Sequence, residues 1–320
     1  MLRAYVFTGR EVLGRDNFPD AYKAIKKKSG AVWIDLEDPT EEEIDFLTDQ
    51  FDFHPLSIED SVMKQDHPKI EIFDDYTLII MHAIRLVNGE VKPEQLNIFV
   101  GRNFIVTMHE ARVRVVEKAI NRVNSKTRTM AAAGVDSILH VLVDGIVDEY
   151  YPVIDKLDDN VDELEDMVLE ERETNIIENI LMQKRNILVM RKYINLEKQI
   201  VNKLSKSEIS AVKENNEAYF RDVYDHLVNM QETLEILREV VPSLIESYHS
   251  MSAKKLNRLI HRLTILATIG IPLTIVTSYY GMNLPLPEFA MGGAGNFIMW
   301  GLMLVAGLGT YIALKINKWL

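Results

Sequence analysis

The chain has 320 residues, with 48 aspartates and glutamates against 36 lysines and arginines, a formal charge of −12 and no cysteine. That balance excludes a basic nucleic-acid surface, so no nucleic acid is expected among its partners. It also excludes disulfides and thiolate metal sites, while an acidic exterior suits solubility or the attraction of cations.

The N-terminal stretch MLRAYVFTGREV lacks the apolar core of a signal peptide, so the body of the protein is expected to stay in the cytoplasm. Residues 1–130 read as an α/β domain. Ala31–Glu37 (AVWIDLE) opens with the apolar run of a buried strand. A helix follows, with Thr40 as N-cap, Glu43 three residues on, and Ile44, Leu47 and Phe51 at helical spacing. Further strands are predicted at Ile70–Phe73, Thr77–Arg85, Leu96–Val100 and Phe104–His109, with Asn88-Gly89 as a turn between neighbours. Ala111–Asn124 returns to helix.

From about Ser137 the pattern is helical almost without interruption. One helix is predicted through the acidic stretch Asp155–Glu173 and a second over Ile176–Leu204. In the third, Phe220, Val223, Leu227, Met230, Leu234, Leu237, Val241, Leu244, Tyr248 and Met251 alternate by three and four residues. That period of 3.5 marks packing along a neighbouring helix. The neighbour is either another helix of the same chain or a second copy around an axis. Pro242 is a potential kink, but no stop signal intervenes before Tyr280. A helix from Ala218 to Tyr280 would be roughly 95 Å long at 1.5 Å per residue, either a conduit for a conformational signal or a plain stalk.

Between Leu263 and Leu314 the only ionisable acid or base is Glu288. Two apolar segments, Leu263–Met282 and Phe297–Leu314, each reach the length that crosses a hydrocarbon core of about 30 Å. Lys254, Lys255, Arg258 and Arg262 precede the first, Lys315 and Lys318 follow the second, and the connector from Asn283 to Asn296 has no Lys or Arg. By the positive-inside rule both termini face the cytoplasm, with Trp300 and Trp319 as interfacial anchors. The basic collar also suits anionic lipid headgroups. The chain is therefore a membrane hairpin on a large water-soluble body.

Enzyme signatures are absent: there is no phosphate-binding glycine loop, no strand–GxGxxG–helix unit and no HExxH, and the eight histidines are scattered. At the outer end of the first span, Gly281 lets the chain leave the helix and Asn283 presents a neutral amide oxygen. Thr264, Thr268, Thr274, Thr277 and Ser278 put hydroxyls on the same span. Their ordinary role is hydrogen bonding to the backbone one turn earlier, or close helix packing.

The tetrapeptide Tyr280-Gly281-Met282-Asn283, after IPLTIVTS and before a two-span C-terminus, resembles the signature of the CorA magnesium transport family. FHPLSIED (Phe53–Asp60), HPKIEIFDDYTLII (His67–Ile80), YFRDVYDHL (Tyr219–Leu227) and the terminal Lys318-Trp319-Leu320 resemble family segments in the same order. A related zinc-transporting branch carries Ile where this chain has Met282, so the resemblance is to the magnesium, Gly-Met-Asn branch.

That resemblance implies an α+β chain in a homopentameric, funnel-shaped channel of the cell membrane, carrying Mg²⁺ and possibly Co²⁺. It is not an enzyme on this reading. The divisions would be a cytoplasmic α/β domain at 1–130, a long-helix bundle and stalk at 131–257, a pore-lining first span at 258–282, an outer loop at 283–296, a second span at 297–315 and a basic tail at 316–320. Gly281, Met282 and Asn283 would form the selectivity filter, a ring of amide oxygens that holds a hydrated ion without trapping it. Glu288, in LPEF, would concentrate cations at the outer mouth. Leu263 and Ile271 would stand at the hydrophobic gate, Thr274 would add a hydroxyl ring, and Asn257 would lie near the cytoplasmic mouth. Ile271 and Ser278 replace residues more usual in the family, Met and Gly. Glu59 and Asp60 of one subunit would face Asp222 of the next, with Asp144 nearby, as a regulatory Mg²⁺ site that closes the channel. Two alternatives are a transporter of another divalent cation (Co²⁺, Ni²⁺ or Zn²⁺) and a membrane-anchored sensor or scaffold.

Overall fold

In the computed structural model, the described residues are 2–7, 12–15, 31–110, 113–125, 134–170, 175–209, 211–283 and 293–319. They divide into two units, Met1–Ile245 and Glu246–Leu320.

The first unit is built on a seven-stranded sheet. Its strands are β1 (Leu2–Phe7), β2 (Val12–Arg15), β3 (Ala31–Glu37), β4 (Lys69–Ile72), β5 (Tyr76–Val87), β6 (Glu90–Gly101) and β7 (Phe104–His109), in the order β2-β1-β3-β7-β6-β5-β4. β3 and β7 pair parallel; the other neighbours are antiparallel. All the predicted strands form, and β5 and β6 run longer than their apolar cores. Asn88 and Gly89, both at positive φ (53° and 82°), close the β5–β6 hairpin as a two-residue turn. β1 and β2 were not anticipated. Both edge strands are four residues long, which limits edge-to-edge pairing.

Helices cover both faces. On one side α1 (Glu41–Phe51) starts at the predicted capping box: Thr40 Oγ1 accepts from Glu43 N–H at 3.3 Å, and Thr40 N–H donates to Glu43 Oε2 at 3.0 Å. The short α2 (Pro55–Val62) follows, with Pro55 at its first turn and His54 as N-cap, whose Nδ1 accepts from Leu56 N–H at 3.2 Å. Leu47, Phe53, Tyr76, Phe99, Leu78 and Ile34 belong to one buried apolar cluster between these helices and the sheet. Burying side chains of this size stabilises the fold by about 1.5–3 kcal/mol each.

The helical part comprises α3 (Arg114–Ser125), α4 (Val135–Asp148), α5 (Tyr151–Glu170), α6 (Ile176–Leu204) and the 64-residue α7 (Glu217–Tyr280). α4, α5 and α6 lie against the sheet. The predicted helix over Asp155–Glu173 begins four residues earlier, at Tyr151, and its last three residues fall outside the described set. Pro242 does not interrupt α7.

The apolar seam resolves in favour of packing within one chain. Phe220, Val223, Leu227, Met230, Leu234, Leu237, Val241 and Leu244 are buried inside a single copy, whereas Tyr248 and Met251 are only half-buried. Over Phe220–Leu244 the reading as a seam between copies is therefore corrected. Arg191 Nε to Glu235 Oε1 at 2.5 Å, and a hydrogen bond from Lys198 to Gln231, tie α6 to this part of α7.

A polar network crosses the apolar layer between sheet and helices. Glu197 on α6 is fully buried; its Oε1 accepts from His82 N–H at 2.9 Å and its Oε2 meets Tyr150 Oη. Tyr150 Oη donates to the His82 carbonyl at 2.6 Å. Tyr150 has one proton to give, so the balance closes only if Glu197 donates to Tyr150. Burial pushes the Glu197 carboxyl up to about 8, which keeps that proton in place at neutral pH. Burial likewise lowers His82 to about 4, so its ring is neutral and Nε2–H donates to Gln65 O at 2.8 Å.

The sign of the linkage follows. Between about 4.5 and 8 the folded state holds a Glu197 proton that the unfolded chain releases, so this contribution declines as pH rises to 8. His82 acts only below about 6.5 and in the opposite sense, since its unfolded form binds the proton first. Thermal unfolding of the full chain in detergent at pH 7 and pH 8 should therefore show a falling midpoint for wild type and a flatter response for Glu197→Gln. Equal slopes in the two proteins would contradict a protonated Glu197.

Candidate functional site: an exposed helix stripe and its carboxylates

The second unit contains the distal part of α7 and α8 (Gly293–Ile316). Both helices carry windows long and apolar enough to cross a membrane, with mean hydropathies of 1.8 and 1.9, and these windows are almost wholly exposed within one chain. In hydrocarbon only a continuous helix satisfies its own backbone polar groups. α7 meets that condition as far as Tyr280. The helices touch where Gly307 has no side chain: a Cβ there would lie 3.7 Å from Leu273 Cδ2. At the other end His261 Nε2 is 2.8 Å from the Trp319 carbonyl, with the two rings 5.5 Å apart, so the C-terminal tail returns to α7.

One face of α7 remains uncovered. Asn257, Leu263, Ile271 and Thr274 lie on it, Met282 follows two residues beyond the helix end, and all five are exposed. Ile260, Ala267 and Ser278 complete the same row at spacings of three or four residues. Ile260 and Ala267 were not singled out in the sequence, and Ser278 was named there only as a span hydroxyl and as a replacement for a more usual glycine. Ile271, Thr274, Ile275, Ser278, Tyr279 and Met282 line one open groove; Lys254, Asn257, Arg258, His261 and Arg262 line another nearer the helix middle.

The row ends at a real helix stop. Gly281 N–H donates to Thr277 O at 2.9 Å and Met282 N–H to Tyr279 O at 3.4 Å. Gly281 does not adopt a left-handed backbone, and a Cβ there would make a tight contact, 3.1 Å from the Thr277 carbonyl. Asn283 follows and is exposed. Glu288 lies outside the described residues. Thr274 Oγ1 donates its proton to Gly270 O at 2.9 Å. What remains free on that oxygen is its capacity to accept, the property that metal-bound water needs.

The four carboxylates of the body fall into two groups. Glu59 is exposed on α2, and neighbouring Asp60 is engaged by Lys69 Nζ and by Gln65 Nε2 at 3.0 Å. Burial pulls Lys69 down, but its hydrogen bonds to Asp60 and Glu71 outweigh this and leave it above the usual lysine range. Asp144 on α4 lies 3.4 Å from Arg122 Nη1. Asp222 on α7 is 72% exposed, with His226 Nε2 at 3.9 Å.

Asp144 and Asp222 bear on one imidazole. Burial draws His140 below the usual histidine range, and both carboxylates pull it back up. Its ring contacts Tyr219 and Phe220 on α7 at 5.5 Å each. Asp148, one turn beyond Asp144, is held above the usual range by burial and by Asp144. His140, Asp144 and Asp148 follow an i, i+4, i+8 row, and Asp222 and His226 an i, i+4 pair. That spacing was the signal for the three residues sequence reading left out. Among the described residues of one chain, no three His, Asp or Glu side chains are placed to share a metal ion.

A sequence model of the CorA-like Mg²⁺ transporter protein family matches residues 28–318. YfjQ of Bacillus subtilis, provisionally named a metal ion transporter, is 28% identical over 289 residues, 90% of this chain and 89% of that protein. The cobalt/magnesium transport protein CorA of Thermotoga maritima is 30% identical over 273 residues, covering 84% of this chain and 78% of that one. The structure of the CorA magnesium transporter from Methanocaldococcus jannaschii matches with a TM-score of 0.83 at 21% identity, over 100% of this chain and 99% of that one, a likeness of fold. The chain therefore belongs to the CorA-like Mg²⁺ transporter family, whose members are membrane-spanning ion transporters and not enzymes.

Proposed function

We propose that five copies of this chain surround a common axis in the cell membrane, with both termini in the cytoplasm, and conduct hydrated Mg²⁺ inward, Co²⁺ being a second cargo. The observation that carries this reading is the uncovered row on α7 ending in Gly281-Met282-Asn283. It crosses an apolar span without a single charge, yet offers side-chain oxygens at Thr274, Ser278 and Asn283.

Mg²⁺ gives up water reluctantly and favours octahedral oxygen ligation at about 2.0–2.1 Å. A ring of neutral amides accepts hydrogen bonds from that water shell without binding the metal itself, so the ion is recognised and released. Thr274, whose proton is spent on Gly270, is an acceptor for the same shell. Leu263 and Ile271 would form aliphatic constrictions that gate by dewetting. The collar of Lys254, Arg258, Arg262, Lys315 and Lys318 holds the inner ends of the spans at anionic headgroups. The Gly-Met-Asn sequence at 281–283 supports the magnesium branch of the family over its zinc-transporting branch, and Glu288 would draw cations to the outer mouth.

In liposomes loaded with a Mg²⁺-sensitive dye, wild type should admit Mg²⁺ faster when the interior is negative. Asn283→Ala should fall to near the rate of empty vesicles. Wild-type flux from Asn283→Ala would remove the filter, and dependence on a proton gradient would favour a secondary transporter.

For regulation, the residues that would hold a resident divalent cation are Glu59 and Asp60 of one copy with Asp222 and Asp144 of the next. The donor set is chemically apt, all carboxylate oxygen. Glu59 and Asp222 have no Lys or Arg partner among the described residues, but Asp60 and Asp144 already do, through Lys69 and Arg122. The free pair is therefore the expected binding pair. Asp222→Ala should abolish most of the Mg²⁺-dependent protection of the body against protease; unchanged protection would exclude Asp222 as a ligand.

A further inference from the structure

Six aliphatic hydroxyls lie on the two spans, and five of them are spent on the helix backbone. Thr264 donates to Ile260 O at 2.8 Å, Thr268 to Thr264 O at 2.7 Å, Thr274 to Gly270 O at 2.9 Å, Thr277 to Thr274 O at 3.0 Å and Thr310 to Ala306 O at 2.8 Å. Ser278 is the exception: its hydroxyl makes no hydrogen bond among the described residues. The carbonyl one turn back, that of Thr274, already accepts the Thr277 hydroxyl as well as the Ser278 N–H.

Ser278 is also placed differently from Thr277. It stands on the uncovered row between Thr274 and Met282 and lines the groove that both of them share. We propose that Ser278 is a hydroxyl station for the hydrated cation between Asn283 and Thr274, a role that rests on the pore reading above.

The spacing favours such a station. From Thr274 to the end of α7 at Tyr280 is six residues, about 9 Å of helix, and Asn283 lies beyond it. Without Ser278 this stretch of the row would offer the ion's water no side-chain acceptor. Ser278 divides it, standing about 6 Å from Thr274 along the axis. A metal-bound water shell reaches its hydrogen-bond partners at about 5 Å from the ion. One hydrated ion can therefore touch both hydroxyls while passing from one to the other. No metal–protein bond forms and no water is lost at this step. The two stations differ in kind: Thr274 only accepts, whereas the free Ser278 hydroxyl rotates and can accept from successive waters.

The test uses the full-length chain in dye-loaded liposomes, with Ser278→Ala, Ser278→Thr and Ser278→Cys. Serine to alanine is benign in a helix, and loss of one hydrogen bond to the shell should slow initial Mg²⁺ entry by roughly threefold to tenfold. The Mg²⁺ concentration for half-maximal rate should rise. Ser278→Thr, which keeps an acceptor oxygen, should retain most of the rate. Because the chain has no native cysteine, Ser278→Cys gives a single reactive thiol. A charged, water-soluble thiol reagent should label it and block flux. If labelling blocks flux but Ser278→Ala transports like wild type, the pore reading stands and the Ser278 station is refuted. If the thiol cannot be reached from water, this turn of α7 does not line the path, and the pore reading fails with it.

Discussion

One helix has to satisfy two solvents, and the rest of the structure depends on how it does so. α7 runs unbroken from Glu217 to Tyr280. Its first half is held by side chains, a seam from Phe220 to Leu244 buried against its own chain. Its last turns are held by the backbone ladder, because lipid offers no partner for an open N–H or carbonyl. Threonines tolerate that environment because each returns its proton to the helix. The ladder ends at Tyr280: Gly281 N–H still reaches the Thr277 carbonyl, Met282 N–H turns to the Tyr279 carbonyl, and Asn283 emerges just beyond. The chemistry proposed for the lip follows from where the helix is allowed to end.

Much of this was legible in the residues. The capping box at Thr40, the Asn88-Gly89 turn, the strand at Ala31–Glu37 and the long helix are local patterns whose physics is complete within a few residues. The two apolar spans were plain for the same reason. What escaped notice depended on tertiary partners. α2 begins at Pro55, a residue that reads as a turn until His54 is seen to cap the helix behind it. β1 and β2 are short edge elements whose pairing gives them their structure.

The seam on α7 shows the limit of periodicity. A repeat of 3.5 residues states that a helix has a neighbour and not whose helix that is. Burial within one copy settles the point for Phe220–Leu244. The carboxylates pose a similar limit. In a chain with 48 acids, spacing alone does not show that Asp60 is engaged by Lys69 and Asp144 by Arg122 while Glu59 and Asp222 have no lysine or arginine partner among the described residues. Nor does it show that Ser278 differs from the four threonines of its span, whose hydroxyls all donate to the helix backbone.

The central claim is that the uncovered row of α7 lines a shared axis with Asn283 at its outer lip. The most direct measurement is an electron density map of the full chain in a lipid nanodisc, resolved well enough to place α7 side chains. The account predicts five α7 helices about one axis, with Thr274, Ser278 and Asn283 pointing inward and the Asn283 amides at the narrow outer opening. Spans that stand apart in the bilayer, or a ring that turns Asn283 toward lipid, would contradict it.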